Sequence, residues 1–528
     1  MFNYFEDYGY DSCTARGVCS ISPRMASINE ILLLYLKEFA YYSLKLSEFN
    51  INNQEVINLI INSLSAFVSN PELPDNIFAE IICTYTKELG KVKDIYIKAC
   101  ETRGLTPILI ESKIDIDKNC NVIHSIRLGE QNFLEKSSSS NSHYVQELLF
   151  FTAKSLVVKL LELNSYGENS TDAVLSILNI LNFLNKEDFA EEELKNLLLN
   201  SAEEEYSLIK KIAKQKASKY GTAQNVEVSL STTPNKAILV DGTNINELGL
   251  ILEATKDFPI DVYTHGELLS AHTLPKIREY SNLKGHYGHG CGNSILDFST
   301  FPGAIFVGKH SINNIENLYK GRLFTSDIVV PSGVIKIEND DFKPLIESAL
   351  NSRGFKRGKK EEPISVFADT IKLQEKLLSL NYDDYEAICL ILPNNDSYET
   401  KNYFDKLLKL IPKDILVINF GIKYENNNII NINSAYDLNT LFEVINILKT
   451  QINTEEKPII AFVPRCDNHI INLILNLQLL GLKKVFMGKC PAKNLNPVVV
   501  KEFCRLFNVS AFSSVKEDYK IIIDLLSI

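Results

Sequence analysis

The sequence predicts a multidomain protein, with an all-α N-terminal domain followed by two α/β domains whose sheets are mostly parallel. Three observations carry this. At 528 residues the chain exceeds the roughly 100 to 200 that one hydrophobic core usually serves, so about three domains are expected. Up to about residue 220 apolar side chains recur at helical spacing. Beyond it, short apolar runs ending in Gly, Asp or Pro alternate with helical stretches, as buried parallel strands and their crossovers do. The expected boundaries are 1–221, 222–364 and 365–528.

Taken in order, "SINEILLLYLKEFAYYSLKLSEF" opens with Ser27 and Glu30 at the spacing of a capping box, in which each side chain satisfies an orphaned amide of the first turn. Behind them Ile28, Ile31, Leu32, Tyr35, Phe39, Tyr42 and Leu46 would bury one face. Further helices are expected over 54–68, stopped by the two prolines of "SNPELPD", and over 76–99. "KSSSSNS" (136–142) has too little apolar surface to pack and reads as a loop, followed by helices near 144–163, 171–184 and 191–217. Ala237 to Val240 begins the α/β half, and "IDVYTHG", "GAIFVG" and "DIVVPSG" read as strands. After the basic linker "NSRGFKRGKKEEP" the pattern resumes with "YEAICLILP", "DILVINFG", "KPIIAFVP" and "KKVFMG".

Hydrophobic content of 45%, charged content of 23% and a net charge of -11 are those of a globular protein, and they argue against nucleic acid or an anionic membrane as partner. "MFNYFEDYGYD" has neither the basic nor the apolar region of a secretory signal, and no apolar run reaches the roughly 18 residues of a membrane span. A cytoplasmic location is expected. In a reducing cytosol a Cys13–Cys19 disulfide would not persist.

Ligands of parallel sheets sit at the carboxyl ends of strands. Those ends carry many metal-binding side chains: His265 and Glu267, then His286, His289 and Cys291, then His310, then Cys466, Asp467 and His469. Imidazole, thiolate and carboxylate together suit zinc or iron. Against this, a histidine at a strand end is commonly a cap or surface residue, and the chain has no CxxC. "GHYGHGCG" lacks GxGxxG spacing, and "GKHS" lacks the upstream glycine of a phosphate loop.

The segments "GVCSISP", "ILVDG", "VYTHGELLSAH", "FPGAI", "RLFTSDIVVPSG" and "LGLKKVFMGKCPAKNLNPVV" extend over essentially the whole chain. In them the sequence resembles the hybrid cluster proteins, also called prismane proteins or hydroxylamine reductases, relatives of the nickel-iron carbon monoxide dehydrogenases. The resemblance implies a helical-bundle domain and two Rossmann-like domains, a cysteine-bound 4Fe-4S cluster near the N-terminus, and a hybrid iron-sulfur-oxygen cluster among the three domains. It also implies an oxidoreductase that converts hydroxylamine to ammonia and water or acts on nitric oxide under nitrosative stress, with an electron-donor protein as partner.

Residue by residue the resemblance is partial. Of the family's four N-terminal cysteines only Cys13 and Cys19 have counterparts, Asn3 and Glu6 standing for the first two. A cubane normally takes four thiolates, so other ligands complete it, or two chains of a homodimer share it, or it is absent. Of the hybrid-cluster ligands, Glu267 is kept and Asp467 is a shortened carboxylate beside Cys466. Thr243 or Asn244, Ser311 beside His310, Asn394, Phe420 and Ile432 stand at the rest. Such a set should not build the standard hybrid cluster.

Two readings follow. In one, Glu267 and Asp467 are catalytic and, with His310, Cys466, His289 and Cys291, form a remodelled iron or zinc site for a small-molecule substrate. In the other, the chain keeps the architecture and the Cys13–Cys19 segment but has lost the hybrid cluster, and acts in electron transfer, sensing or partner binding.

Overall fold

The computed structural model describes residues 23–69, 73–114, 121–137, 140–288, 294–312, 316–392, 398–421, 424, 429–432, 438–464, 469–488 and 497–526. Its helical part comprises α1 (Pro23–Glu48), α2 (Gln54–Ser69), α3 (Asp75–Thr102), α4 (Val122–Ser137), α5 (Ser140–Asn164), α6 (Thr171–Phe183) and α7 (Glu191–Tyr220). The apolar face expected of α1 is buried, Ile28, Ile31, Tyr35, Phe39, Tyr42 and Leu46 completely.

Two local expectations fail. Because α1 already starts at Pro23, Ser27 lies inside the helix and the capping box does not form. Glu30 instead accepts hydrogen bonds from Asn132 Nδ2 at 2.7 Å and Gln146 Nε2 at 2.8 Å, tying α1 to α4 and α5. Nor is "KSSSSNS" simply a loop, since α4 runs to Ser137 and α5 starts at Ser140. Both helices carry packed apolar stretches, and tertiary packing extends helices into polar ends that propensity alone would leave out.

Helices α1 and α4 approach so closely that a Cβ at Gly129 would collide with the carbonyl oxygen of Ser27. A Gly-to-Ala change inside a helix normally stabilises by up to about 1 kcal/mol. Here the clash is with backbone and outweighs that gain, at about 1 to 3 kcal/mol. Gly129→Ala is therefore expected to lower thermal stability. A midpoint at or above that of the wild type would show that the helices can separate without cost.

The chain then passes through β1 (Val226–Val228) into the first sheet, built from β2 (Lys236–Asp241), β3 (Ile260–His265), β4 (Leu283–His286), β5 (Ala304–Val307), β6 (Leu323–Thr325) and β7 (Ile335–Lys336). Between or after these strands lie α8 (Ile245–Thr255), α9 (Pro275–Arg278), α10 (Ser294–Thr300) and α11 (Lys343–Asn351). "DIVVPSG" is not a strand: β6 precedes it, and Pro331 has no N–H to offer a ladder.

Past β8 (Ile364–Val366) and α12 (Thr370–Leu378) comes the second sheet. It alternates β9 (Ala387–Ile391), α13 (Tyr398–Leu410), β10 (Ile415–Asn419), β11 (Ile429–Asn431), α14 (Leu438–Gln451), β12 (Ile459–Val463), α15 (Ile470–Leu479), β13 (Lys484–Met487), α16 (Pro497–Phe507), β14 (Ser510–Ala511) and α17 (Val515–Leu526).

The two six-stranded sheets share one topology. The orders are β4-β3-β2-β5-β6-β7 and β11-β10-β9-β12-β13-β14, and every pairing in them is parallel. This is the doubly wound arrangement, with helices on both faces and a reversal of strand order at the centre. Burial alternates accordingly. In the second sheet Ile388, Leu390, Ile418, Ala461 and Val463 join one continuous core with α1 to α7, while Cys389, Val417, Ile460, Phe462 and Phe486 face the opposite helices. The first sheet has separate cores on its two faces.

A two-stranded antiparallel ribbon closes the neck of the first α/β domain, with Val226 opposite Val366 and Val228 opposite Ile364. Asn225 Oδ1 accepts from the amides of Ala368 and Asp369, both at 2.9 Å, and Thr232 N donates to Lys359 O at 2.9 Å. The basic linker is thus laid against the domain it leaves.

Candidate functional site

Each sheet reverses its order once, between β2 and β5 and between β9 and β12. Crevices at the carboxyl ends of strands open at such reversals. His310 follows β5 and His469 follows β12, so each histidine stands at one crevice. Both reach the helical domain. His310 Nε2 lies 2.7 Å from Ser65 Oγ on α2, and His469 Nδ1 lies 2.7 Å from Ser155 Oγ on α5 and 2.9 Å from Glu205 Oε1 on α7. The three parts of the fold meet in one polar chamber.

Helix α5 supplies its floor. Ser155, Lys159 and Glu162 follow one another at helical spacing on one side of this helix. Lys159 Nζ donates to Glu162 Oε2 at 2.9 Å, and the lysine side chain is only 16% exposed. Burial disfavours its ammonium form, but Glu162, and beyond it Glu205 and Glu267, favour it, and the balance raises its pKa above the ordinary lysine value. Glu205 is 1% exposed, and its Oε1 accepts from Ser155 Oγ at 2.7 Å. Its Oε2 has no hydrogen-bond partner among the described residues.

His310 is held in a left-handed backbone conformation, φ 63°, which a non-glycine residue adopts at a cost of about 1 kcal/mol or more. Its amide donates to Asp327 Oδ2 at 3.1 Å. Burial, against the pull of Asp327 and with the help of Lys309, His469 and Lys159, lowers its pKa to about 4. At neutral pH it therefore presents an uncharged imidazole. Beside it lies a cavity of about 360 Å³, bordered by Val158, Leu161 and Glu162 of α5, by Thr243, Asn244 and Glu247 after β2, and by His310.

A second buried cluster backs the first sheet. His265, wholly inaccessible at the end of β3, contacts Asp241 Oδ1 at 2.8 Å through Nδ1 and Asp297 Oδ2 at 3.1 Å through Nε2. Burial pushes its pKa down, but the two carboxylates prevail and raise it to about 9. Thr264 Oγ1 is 2.9 Å from both His272 Nε2 and His286 Nδ1. Burial, with Arg278 nearby, lowers the His272 pKa to about 4. These histidines are bound into the protein's own hydrogen bonding.

Of the residues singled out in the sequence, Glu267 lies half-buried on the 3-10 turn Gly266–Thr273 and acts electrostatically on Lys159, which with His469 acts in turn on His310. Cys13, Cys19, His289, Cys291, Asn394, Cys466 and Asp467 lie outside the described residues. Sequence reasoning missed Lys159, Glu162, Glu205, Ser155 and Ser65 because they lie on helices and form no motif. A signal existed: in the largely apolar run "FFTAKSLVVKLLEL", Ser155, Lys159 and Glu162 recur at helical spacing.

Among the described residues the donors do not fit a thiolate-bridged hybrid cluster. Phe420 and Ile432, at two expected thiolate positions, are buried core side chains. Asn244 caps α8, accepting from Asn246 N at 2.9 Å, and Ser311 Oγ donates to Lys309 O at 3.4 Å. Among the described residues no group of three or more His, Cys, Asp or Glu side chains is arranged to hold a metal ion. Among them, too, no helix is long and apolar enough to cross a membrane.

Comparison with known proteins places the chain in a family. The family model of the Prismane/CO dehydrogenase family matches residues 9–439. A hydroxylamine reductase of Acidiphilium cryptum is 24% identical over 95% of this chain and 94% of its own, and one of Clostridium tetani is 24% identical over 98% of each. A solved carbon monoxide dehydrogenase from Thermococcus sp. AM4 superimposes with a TM-score of 0.48 at 10% identity, covering 98% of this chain and 88% of that one.

Proposed function

Because the chain belongs to the Prismane/CO dehydrogenase family, we propose that it is a divergent iron-sulfur redox protein that has given up the hybrid cluster and works in electron transfer. The observation that carries this is the burial of Phe420 and Ile432 in the core where bridging thiolates would be required. A cluster needs deprotonated sulfur ligands, and no shift of rotamer gives an apolar side chain a donor. In this reading iron is confined to the N-terminal segment, where Cys13 and Cys19 of two chains supply the four thiolates of a 4Fe-4S cluster shared across a homodimer. An electron-donor protein is the expected partner, and the cytoplasm the expected compartment.

A second reading is hydroxylamine reduction to ammonia and water. It is favoured by relatives of that name that align end to end and by the retained carboxylate of Glu267, whose charge acts on Lys159. One experiment separates the two. Protein reconstituted anaerobically is assayed for iron, sulfide and hydroxylamine-dependent oxidation of a reduced viologen. About four irons per dimer, lost in Cys13→Ala, with no ammonia formed, is the expected result. Ammonia formed at the expense of viologen, by protein whose iron persists in Cys13→Ala, would replace the electron-transfer reading with the reductase.

A further inference from the structure

We propose that the crevice beside His310 binds a small zwitterion, an amino acid whose ammonium goes inward to Glu247 and whose carboxylate stays at the mouth with Lys219 and Lys309. The inference rests on the reading that the hybrid cluster is lost, and it names the class of ligand that the crevice takes instead. A cavity of about 360 Å³ is of small-molecule size. Its charged lining is sorted by depth, with Glu162 and Glu247 partly buried and Lys219, Lys309 and Asp340 exposed. Val158, Leu161 and Leu250 give it an apolar wall for a short aliphatic frame.

Of the two inner carboxylates, Glu162 already has a cation, Lys159 Nζ at 2.9 Å. Glu247 accepts from Ser326 Oγ and, at 3.3 Å, from the backbone amide of Lys309. Both donors are uncharged, and among the described residues Glu247 forms no ion pair. The crevice is shaped around this side chain, because a Cβ at Gly308 would stand only 2.6 Å from Glu247 Oε2. Burial raises the Glu247 pKa, and Ser326 and Lys309 oppose that rise without cancelling it. A desolvated carboxylate takes a positive partner or a proton, and an ammonium is a positive partner with three donors.

The mouth has the opposite sign. Lys219 Nζ donates to Asn246 Oδ1 and lies 5.3 Å from the centroid of the Tyr220 ring. Asn246 is itself fixed, accepting from Tyr220 Oη at 2.9 Å and donating from Nδ2 to Ser165 O at 2.7 Å. Lys219 and Lys309 against Asp340 leave the rim net positive. A bare amine is repelled by this rim and a bare carboxylate by the acids within, whereas a zwitterion satisfies both.

The test is isothermal titration calorimetry on the full, anaerobically reconstituted chain, with L-alanine and 4-aminobutyrate as zwitterions and butylammonium and butyrate as their halves. At least one zwitterion should bind at about one per chain, and each half at least about 10-fold more weakly. Glu247→Gln, which keeps the shape of the side chain, should weaken the zwitterion at least about 10-fold and leave butyrate unchanged. No binding of either zwitterion at about 10 mM, a half bound as well as the whole, or an unchanged affinity in folded Glu247→Gln would each overturn the proposal. If Glu247→Gln does not fold, the ratio of whole to half in the wild type decides alone. Iron that persists in Cys13→Ala would sink the electron-transfer reading whatever the titration gives. Iron lost in that variant, together with no zwitterion bound, would sink this proposal only.

Discussion

Asp241→Asn is expected to destabilise the protein by about 3 kcal/mol at pH 7 and to flatten the alkaline limb of its stability profile. His265 is inaccessible and lies between Asp241 and Asp297, with the His286 ring stacked 6.3 Å away and Phe298 edge-on at 5.2 Å. Removing one carboxylate leaves a buried imidazolium with half its compensation, and it must lose its proton or bear the cost. The sign follows from linkage. A histidine whose pKa rises on folding from 6.5 to about 9 contributes stability that is fully present below pH 6.5 and is lost as pH rises through about 9, about 3 kcal/mol in all.

The acid limb has the opposite origin. His272 and His310 have pKa values lowered to about 4, so their contribution is present above pH 6.5 and is lost as pH falls through about 4. Chemical denaturation at a series of pH values reads both limbs. Asp241→Asn should shrink the fall between pH 6.5 and 9, since only Asp297 then holds the imidazolium, and spare the one between 6.5 and 4. An alkaline limb of unchanged size after the substitution would mean that the limb does not arise from the Asp241–His265 pair.

Phe462→Ala should cost about 3 to 5 kcal/mol. Phe462 is wholly buried on β12, stacked on Phe486 with centroids 4.6 Å apart and planes 6° from parallel, and it meets Phe404 and Phe512 edge-on at 5.8 and 5.7 Å. Aromatic contacts of this kind add to the area term, and four interlocked rings cannot close over the space of a missing one. Phe462→Leu should recover most of the loss. A fall in denaturation midpoint equivalent to less than 1 kcal/mol for the alanine variant would mean that the cluster relaxes around the gap.

The sequence was most legible where one short-range signal sufficed. Leu239 and Val240, Val262 and Tyr263, and Ile305 to Val307 are buried on both faces of a parallel sheet, and so they read as continuous apolar runs. The short edge strands β7, β11 and β14 carry few residues and little apolar surface, and their pairing is set by the neighbouring strand rather than by their own sequence. The strand expected at "DIVVPSG" went astray because its apolar letters outweighed Pro331.

The chamber was half legible. His310, His469 and Glu267 announce themselves by residue type at strand ends. Lys159, Glu162 and Glu205 do not, because charged residues on long helices are ordinarily solvated, and only the packing of α5 and α7 against both α/β domains turns them inward. An ion pair of the helix-surface kind, at i and i+3, is here largely shielded from solvent.

The ribbon of β1 and β8 has a mechanical consequence. Since Val228 lies opposite Ile364, the chain enters and leaves the first α/β domain at a single clasp. The helices share one core with the second sheet. Tension between the two ends of the chain would therefore be borne by that joint core and by the clasp, and the first α/β domain would hang outside the line of force until the clasp unzipped. In evolutionary terms it is a cartridge: a sequence change that reshapes it alters the crevice at His310 without rerouting the rest of the chain.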